Sequence, residues 1–464
     1  MPLSSLPVAV IGAGPVGLAA AAHLVRRGLV PVVLEQAAEV AASLRDVAHV
    51  RLFSPWRYNV DSAARALLEE TGWRAPDPEG LPTAGELVAD YLAPLAAHPA
   101  LAPRIRLGTH VTAIGRRGLD RMRSEGRAEA PFVIRWRTAG GETGRLEARA
   151  VIDATGTWGH PSPMGADGMA VEGEDSLGEA LAYGLPDVAG RARAHYAGRR
   201  VLVVGSGHSA TQVVLDLAKL READPATQIL WGLRTEHVAK LRGGGAADQL
   251  PARGALGLSA ARVIETGAAR VLAPLAITRV ERQGEGVAVT ATLGGGPTVF
   301  EVDRIVVATG LRPSFGLLRE LRVAIDPITE APPTLAPLID PNLHACGSVP
   351  PHGAVELAHP EPGFFIVGAK SYGRAPTFLM ATGYEQARSV VAEIAGDHAA
   401  ARRVELVLPE TGVCRAPPAL ERAGVGCCGG PPPETAPETA SACCADDARA
   451  KAEGLTGCGC GVPA

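Results

Sequence analysis

Three glycines near the start of the chain stand in the run Pro7-Val-Ala-Val-Ile-Gly-Ala-Gly-Pro-Val-Gly17. Gly12 permits a tight turn after a strand, Gly14 lets the backbone approach a pyrophosphate, and Gly17 lets the following helix pack closely on the strand. Such a turn delivers a diphosphate to the positive end of a helix. Glu35 ends the second apolar run, Val32-Val33-Leu34-Glu35, where a carboxylate binds a ribose diol. A second turn reads Gly205-Ser-Gly-His-Ser-Ala210, with Gly205, Gly207 and Ser209 in the loop and Ala210 in the third glycine position. No carboxylate stands where Glu35 would have its counterpart. Arg234 follows the strand there, with Lys240 and Arg242 a little further on. A cation at that place pairs with a 2′-phosphate that a carboxylate would repel, so the pattern favours NADPH over NADH. Two dinucleotide sites in one chain have a chemical reason when a nicotinamide delivers hydride to a tightly bound flavin.

The thiols are the second chemically capable set. Of eight cysteines, only Cys346 and Cys414 precede residue 420; the rest are Cys427, Cys428, Cys443, Cys444, Cys458 and Cys460. A secreted disulfide scaffold spreads its cysteines through the fold, so this placement points to a reduced cytoplasmic protein with a thiol-rich tail. Adjacent thiolates chelate soft ions such as As(III), Hg(II), Cu(I) or Zn(II). Redox disulfides and incidental cysteines in low-complexity sequence are the alternatives. His352, Glu356 and His359 also share a short stretch, but Pro351 and Pro360 bracket them and no common helical face emerges, which argues against a metal site.

Stepping from strand to helix to strand positions both turns. Leu18 to Arg27 reads as a helix stopped by Gly28. The helix after Gly207 runs to about Glu222, before Pro225, and Gln228 to Trp231 is the next strand. The two turns are too far apart for a short solenoid repeat and suit two separate domains. Ile105-Arg-Leu-Gly and Phe132 to Thr138 read as strands of a smaller antiparallel sheet. Buried strands end in Val151-Ile-Asp-Ala-Thr-Gly156 and Ile305-Val-Val-Ala-Thr-Gly310, and a late strand runs from Gly363 to Gly368 before a helix through Glu385.

These motifs resemble a superfamily of flavoproteins with two dinucleotide-binding domains, which includes flavin-containing monooxygenases, N-hydroxylating monooxygenases and thioredoxin-reductase-like enzymes. The resemblance covers roughly residues 7 to 400, and the chain as a whole is most similar to flavin monooxygenases linked to arsenic resistance. It implies FAD at the first turn, with Gly156 and Gly368 contributing, and NADPH at the second. The late motif of the family carries an Asp after its glycine, whereas here the run is Val367-Gly368-Ala369-Lys370. Lys370 or Arg374 then becomes the candidate for the phosphates. The linker signature of the monooxygenases is not intact, and the N-terminal half has no cysteine pair for a dithiol beside the flavin. By the same resemblance, the segment Arg51-Leu-Phe-Ser-Pro-Trp56 approaches the isoalloxazine. Trp56 and His208 are the candidates for the reaction site, each weighed against a plain packing role.

The expected fold is α/β, with two Rossmann-like domains, the NADPH domain inserted into the FAD domain, and a disordered Cys-rich tail. The expected boundaries are 1–190 and 325–412 for the FAD domain, 191–324 for the NADPH domain and 413–464 for the tail. Composition agrees with an enzyme of this kind. Hydrophobic residues make up 47% of the chain, enough for large cores, and Lys+Arg 45 against Asp+Glu 49 lacks the basic surplus of a nucleic-acid binder. The uncharged stretch from Met1 to Val25 contains the first glycine turn and no basic leader, so it reads as strand, turn and helix rather than a signal peptide or membrane span. The function expected is an NADPH-dependent FAD oxidoreductase, monooxygenase-like, in which the reduced flavin activates O2 to oxygenate a soft small-molecule nucleophile. Two alternatives stand beside it: a reductase passing electrons to a thiol, disulfide or metal(loid) through the tail, and a metal(loid)-binding or sensing protein on a flavoprotein fold.

Overall fold

The structure, a computed structural model, describes residues 3–406 apart from 237, 244, 246–247, 249, 344–348 and 376–378. All eight cysteines, and the expected tail 413–464, lie outside the described residues.

Two parallel five-stranded sheets are built on one plan. In the first, β1 (Val8–Ile11), β2 (Pro31–Leu34) and β3 (Ile105–Arg106) lie side by side, with β7 (Ala150–Asp153) and β16 (Phe364–Ile366) beyond β1. An antiparallel meander, β4 (Thr109–Arg116), β5 (Phe132–Thr138) and β6 (Thr143–Ala148), is inserted before β7. In the second sheet, β9 (Arg200–Val204), β10 (Gln228–Gly232) and β11 (Arg270–Leu272) repeat the order, with β15 (Arg304–Val307) and β8 (Leu181–Tyr183) beyond β9. The meander β12 (Leu275–Gln283), β13 (Gly286–Leu293) and β14 (Gly296–Val302) precedes β15. Because β16 closes the first sheet after the second is complete, one Rossmann unit is inserted within the other.

The strands are uninterrupted apolar runs because both faces of each sheet are covered. Val8 and Val10 of β1 pack into a core shared with the helices Pro15–Arg26 and Met380–Ile394, while Ala9 and Ile11 face the first meander. Val201 and Val203 of β9 join the core beneath the helix His208–Ala223, while Leu202 and Val204 face the second meander. A strand buried on both faces carries no period-2 signal; composition and flanking glycines mark it instead.

Two boundaries differ from the sequence reading. Ile105–Arg106 is not part of the antiparallel meander: it is a parallel edge strand paired with Val33 and Leu34, and the meander begins at Thr109. The late helix does not end near Glu385 but continues to Ile394, because its buried face runs on through Val390, Val391 and Ala392. Among the described residues no helix is long and apolar enough to cross a membrane.

Candidate functional site at two glycine turns

The three glycines of the first turn do different jobs. Gly12 has φ +100°, and a Cβ there would lie 2.7 Å from the Ala154 carbonyl oxygen. A Cβ on Gly17 would lie 2.0 Å from the Gly12 oxygen, so the helix can sit this close only with glycine. Gly14 is the contrast, since a Cβ there meets nothing within 4 Å. It caps the helix Pro15–Arg26 with no side-chain hydrogen bond. The first N–H groups of that helix are therefore left for an external acceptor, the arrangement that binds phosphate oxygens. Beside them, the buried Glu35 carboxylate accepts from Ala13 N at 2.7 Å and Ala37 N at 2.9 Å. An ionised carboxylate has about four acceptor positions, so two stay available for hydroxyls.

The second turn repeats this geometry. Gly205 has φ +136°, and its Cβ would lie 2.2 Å from the Ala308 oxygen; at Gly207 nothing lies within 4 Å. Gly207 caps the 16-residue helix His208–Ala223, again without a side-chain bond. Ala210, in place of the third glycine, is buried in the core, and Ser209 is half-buried on the first turn of the helix. The strand registers align the two acidic positions. Ile11 pairs with Leu34, and Val204 pairs with Gly232, so Leu233 occupies the place of Glu35. Leu233 is buried; the next residue, Arg234, is exposed, and its Nη1 reaches only the Ala166 carbonyl at 3.5 Å. Glu236 follows, also exposed.

At the other strand ends the structure reassigns several side chains. Lys370 is 1% exposed, and its Nζ donates to Asp153 Oδ2 at 2.7 Å and Thr155 Oγ1 at 3.1 Å. The ammonium ties the end of β7 to the turn after β16; it is not presented to a phosphate, which corrects the expectation for this residue. Arg374 is exposed but forms a two-pronged pair with Glu330, with Nε to Oε2 at 2.9 Å and Nη2 to Oε1 at 3.0 Å, so it too has a partner in the chain. Gly156 has φ +65° and open space at its Cβ position. Gly368 (φ +73°) rests against Val16 of the first helix and donates its N–H to Gln386 Oε1 at 2.7 Å.

Gln386 had no signal in the sequence, yet it organises this turn. Fully buried, it also donates to Ser371 Oγ and to His352 Nε2, each at 2.9 Å. His352 Nδ1 faces the Pro350 carbonyl at 3.1 Å, so the proton sits on Nδ1 and the ring is neutral; burial lowers its pKa. Glu356 accepts from Gly353 N, and the His359 ring lies 5.5 Å from that of Phe364. The described residues contain no cluster of three metal-ligating side chains. A cavity of about 420 Å³ opens between Arg149, His359, Glu361 and Phe364, where β7 and β16 begin, and so lies at the opposite end of the sheet from the glycine turns.

Trp56 is 7% exposed and belongs to the core beneath the first sheet, with its backbone N–H donating to the Gly80 oxygen. The packing role therefore describes it, and the aromatic that leaves this loop is Phe53. Its ring centroid stands 5.3 Å from that of His208, the first residue of the second helix. Although part of its surface faces solvent, His208 has a lowered pKa, first through desolvation and then through Arg253, opposed by Asp248. The segments that follow β7 and β15 also meet, with Ser162 N bonded to the Gly310 oxygen at 2.9 Å and Thr309 Oγ1 to the Ser162 oxygen at 2.7 Å. The two turns thus sit at strand ends of two units joined by paired crossovers.

A family model described as pyridine nucleotide-disulphide oxidoreductase matches residues 9–230, which take in both glycine turns. The matched stretch takes in just under half of the chain, and it is a likeness to that family. It is 30% identical over 214 residues to the indole-3-pyruvate monooxygenase YUCCA1 of Oryza sativa subsp. japonica, a match covering 45% of this chain and 44% of that protein. The chain thus spans less than half the length of that curated relative. The bacillithiol disulfide reductase Bdr (YpdA) from Bacillus cereus superposes with a TM-score of 0.62 at 18% identity, over 84% of this chain and 99% of that one. The ornithine hydroxylase PvdA from Pseudomonas aeruginosa does so with a TM-score of 0.54 at 15% identity, over 84% and 99%. At these identities the likeness is one of fold.

Proposed function

We propose that the protein is an NADPH-dependent FAD oxidoreductase with monooxygenase-like chemistry, holding FAD at the glycine turn of the first sheet and NADPH at that of the second. The observation that carries this reading is the pair of turns in which the second glycine alone faces open space over an uncapped helix start. A bound flavin would accept hydride from the nicotinamide and pass electrons to O2. In this reading, backbone N–H groups at Gly14 and Gly207 hold the two diphosphates, and Glu35 orients the first ribose. Arg234 meets the 2′-phosphate, a reading supported by Leu233 in the acidic position. The N-terminal half of the sequence has no cysteine pair for a dithiol beside the flavin, which supports direct reaction of the flavin with O2 and a small-molecule nucleophile.

The second reading is a reductase whose electrons leave through the tail, favoured by three pairs of cysteines in the sequence and by the disulfide-reductase likeness of the fold. Cys427, Cys428, Cys443, Cys444, Cys458 and Cys460 would then cycle between thiol and disulfide or bind a soft metal(loid) ion, as expected of a reduced cytoplasmic protein. Anaerobic and aerobic NADPH oxidation by the purified protein, with the flavin spectrum recorded, separates the two. Consumption that needs O2 supports the first reading, and O2-independent turnover with a disulfide or As(V) acceptor supports the second. A truncation after Cys414 that keeps aerobic NADPH oxidation but loses As(III) binding would place the ion at the tail.

A further inference from the structure

The outer face of the first meander carries three arginines side by side. Arg135 of β5 stands directly opposite Arg145 of β6. Arg137, two residues on and so on the same face, stands between His110 of β4 and Thr143 of β6. All five of these residues are exposed, whereas Phe132 and Ile134 point into the core. Among the described residues none of the three guanidinium groups has an ion pair or a hydrogen bond. Glu147, on the same face, is taken by Arg117 at 3.1 Å, and the His110 ring by Gln36 at 3.1 Å. Like charges directly opposite in an antiparallel pair cost stability. The second meander, built on the same plan, pairs its charges: Arg279 meets Glu172 at 3.2 Å and Glu281 at 3.3 Å, and Glu301 meets Arg200 at 3.4 Å. Protection of an exposed edge accounts for Arg145 on the edge strand β6, but not for Arg135 and Arg137, which lie on the central strand.

We infer that this face is a docking surface for an acidic protein, whose carboxylates pair with Arg135, Arg137 and Arg145. A guanidinium takes a carboxylate through two parallel N–H···O bonds, and three of them at neighbouring positions of a sheet form a flat array that suits a carboxylate-bearing protein surface. The chain as a whole has a net charge of −4, so these cations are a local departure and not part of a general basic surplus. Other occupants fit less well. Two copies meeting through this face about a two-fold axis would set arginine against arginine. Among the described residues the face presents no Phe, Tyr or Trp on which the bases of a single-stranded nucleic acid could stack. None of the exposed large apolar side chains stands on it to enter a lipid surface. Charge pairing of this kind sets association rate and partner choice, and it weakens with salt.

The test uses the full-length protein and, as probe, a fluorescein-labelled peptide of about ten glutamates, with anisotropy read at about 50 mM and about 200 mM salt. The parent's affinity should fall several-fold across that range. A variant combining Arg135→Gln, Arg137→Gln and Arg145→Gln should bind the peptide roughly tenfold more weakly, the combined worth of three exposed ion pairs. Arg279→Gln, on the second meander, should bind as the parent does. Arg135→Gln alone should melt at or above the parent's Tm, because it relieves a like-charge pair. A parent that ignores the peptide at low salt, a triple variant that binds as well as the parent, or an Arg135→Gln protein with a lowered Tm would overturn the inference. Vesicles containing phosphatidylserine and a single-stranded oligonucleotide are the competing probes. If either binds the parent more tightly than the peptide does and loses that binding in the triple variant, the face serves a lipid surface or a nucleic acid and the acidic-protein assignment fails.

Discussion

Replacing Gly14 by Val separates a glycine kept for a ligand from glycines kept for the fold. Gly14 lies in extended backbone (φ −76°, ψ −177°) that a β-branched residue adopts readily, and its Cβ would meet nothing within 4 Å. The folded chain should therefore tolerate the change. Reduced entropy of the unfolded state stabilises, the poorer cap destabilises, and the net effect is about 1 kcal/mol or less. A diphosphate at the helix start would instead be pushed away from the N–H groups it accepts from. Losing two charge-assisted hydrogen bonds at about 1.5–3 kcal/mol each raises the FAD dissociation constant by roughly 10²- to 10⁴-fold. Gly17→Ala is the control, because its Cβ would lie 2.0 Å from the Gly12 oxygen. That variant should lose about 1–3 kcal/mol of stability through overpacking. Flavin content after purification, fluorescence titration of the apoprotein with FAD, and Tm read out both effects. A Gly14→Val protein that is yellow with full flavin content would refute the reasoning.

Arg234→Ala should raise the NADPH KM by about ten- to a hundredfold, the worth of one charge-assisted hydrogen bond, and leave NADH kinetics unchanged; equal losses with both coenzymes would count against a 2′-phosphate contact. Lys370→Met should destabilise by about 3–5 kcal/mol in urea titration, because it leaves Asp153 charged and buried without its partner. The double change with Asp153→Asn should recover most of that loss, and a double variant as unstable as the single would contradict it. Burial beside Phe364 pushes the His359 pKa down to about 4. The unfolded chain then takes up a proton that the folded chain refuses, so this contribution is complete above about pH 6.5 and shrinks as pH falls toward 4, by at most about 3 kcal/mol. His359→Leu should flatten the denaturation midpoint across that window relative to the parent, and an unchanged pH slope would sink the assignment.

The glycine turns were legible because their requirement is local: a left-handed φ and a contact under 3 Å allow one residue type, and the apolar strand and helix around them fit a single βαβ plan. The second sheet repeated the first closely enough that its turn, its Ala-Thr-Gly segment and its missing carboxylate could be read in the same way. Ile105–Arg106 was misplaced because a two-residue strand carries no periodicity and only its pairing with Val33 and Leu34 shows which sheet it joins. Trp56 and Phe53 lie three residues apart in one loop, and which ring turns inward is decided by the fit of Trp56 beneath Gly80, a tertiary contact that composition does not report. Lys370 resembled a phosphate ligand because its partner Asp153 is distant in the chain. Gln386 was invisible for the same reason, since a polar residue in a helix declares nothing until Gly368, Ser371 and His352 converge on it.

Hydride passing from the coenzyme at one glycine turn to the flavin at the other is the central claim. Mixing the purified, FAD-loaded protein anaerobically with NADPH and following absorbance at the flavin band measures that transfer. The account predicts bleaching at a rate that saturates with NADPH, is far slower with NADH, and is followed by recovery of the oxidised spectrum on admitting O2. A flavin that stays oxidised under saturating NADPH, or a protein that purifies and refolds with no affinity for FAD, would contradict it.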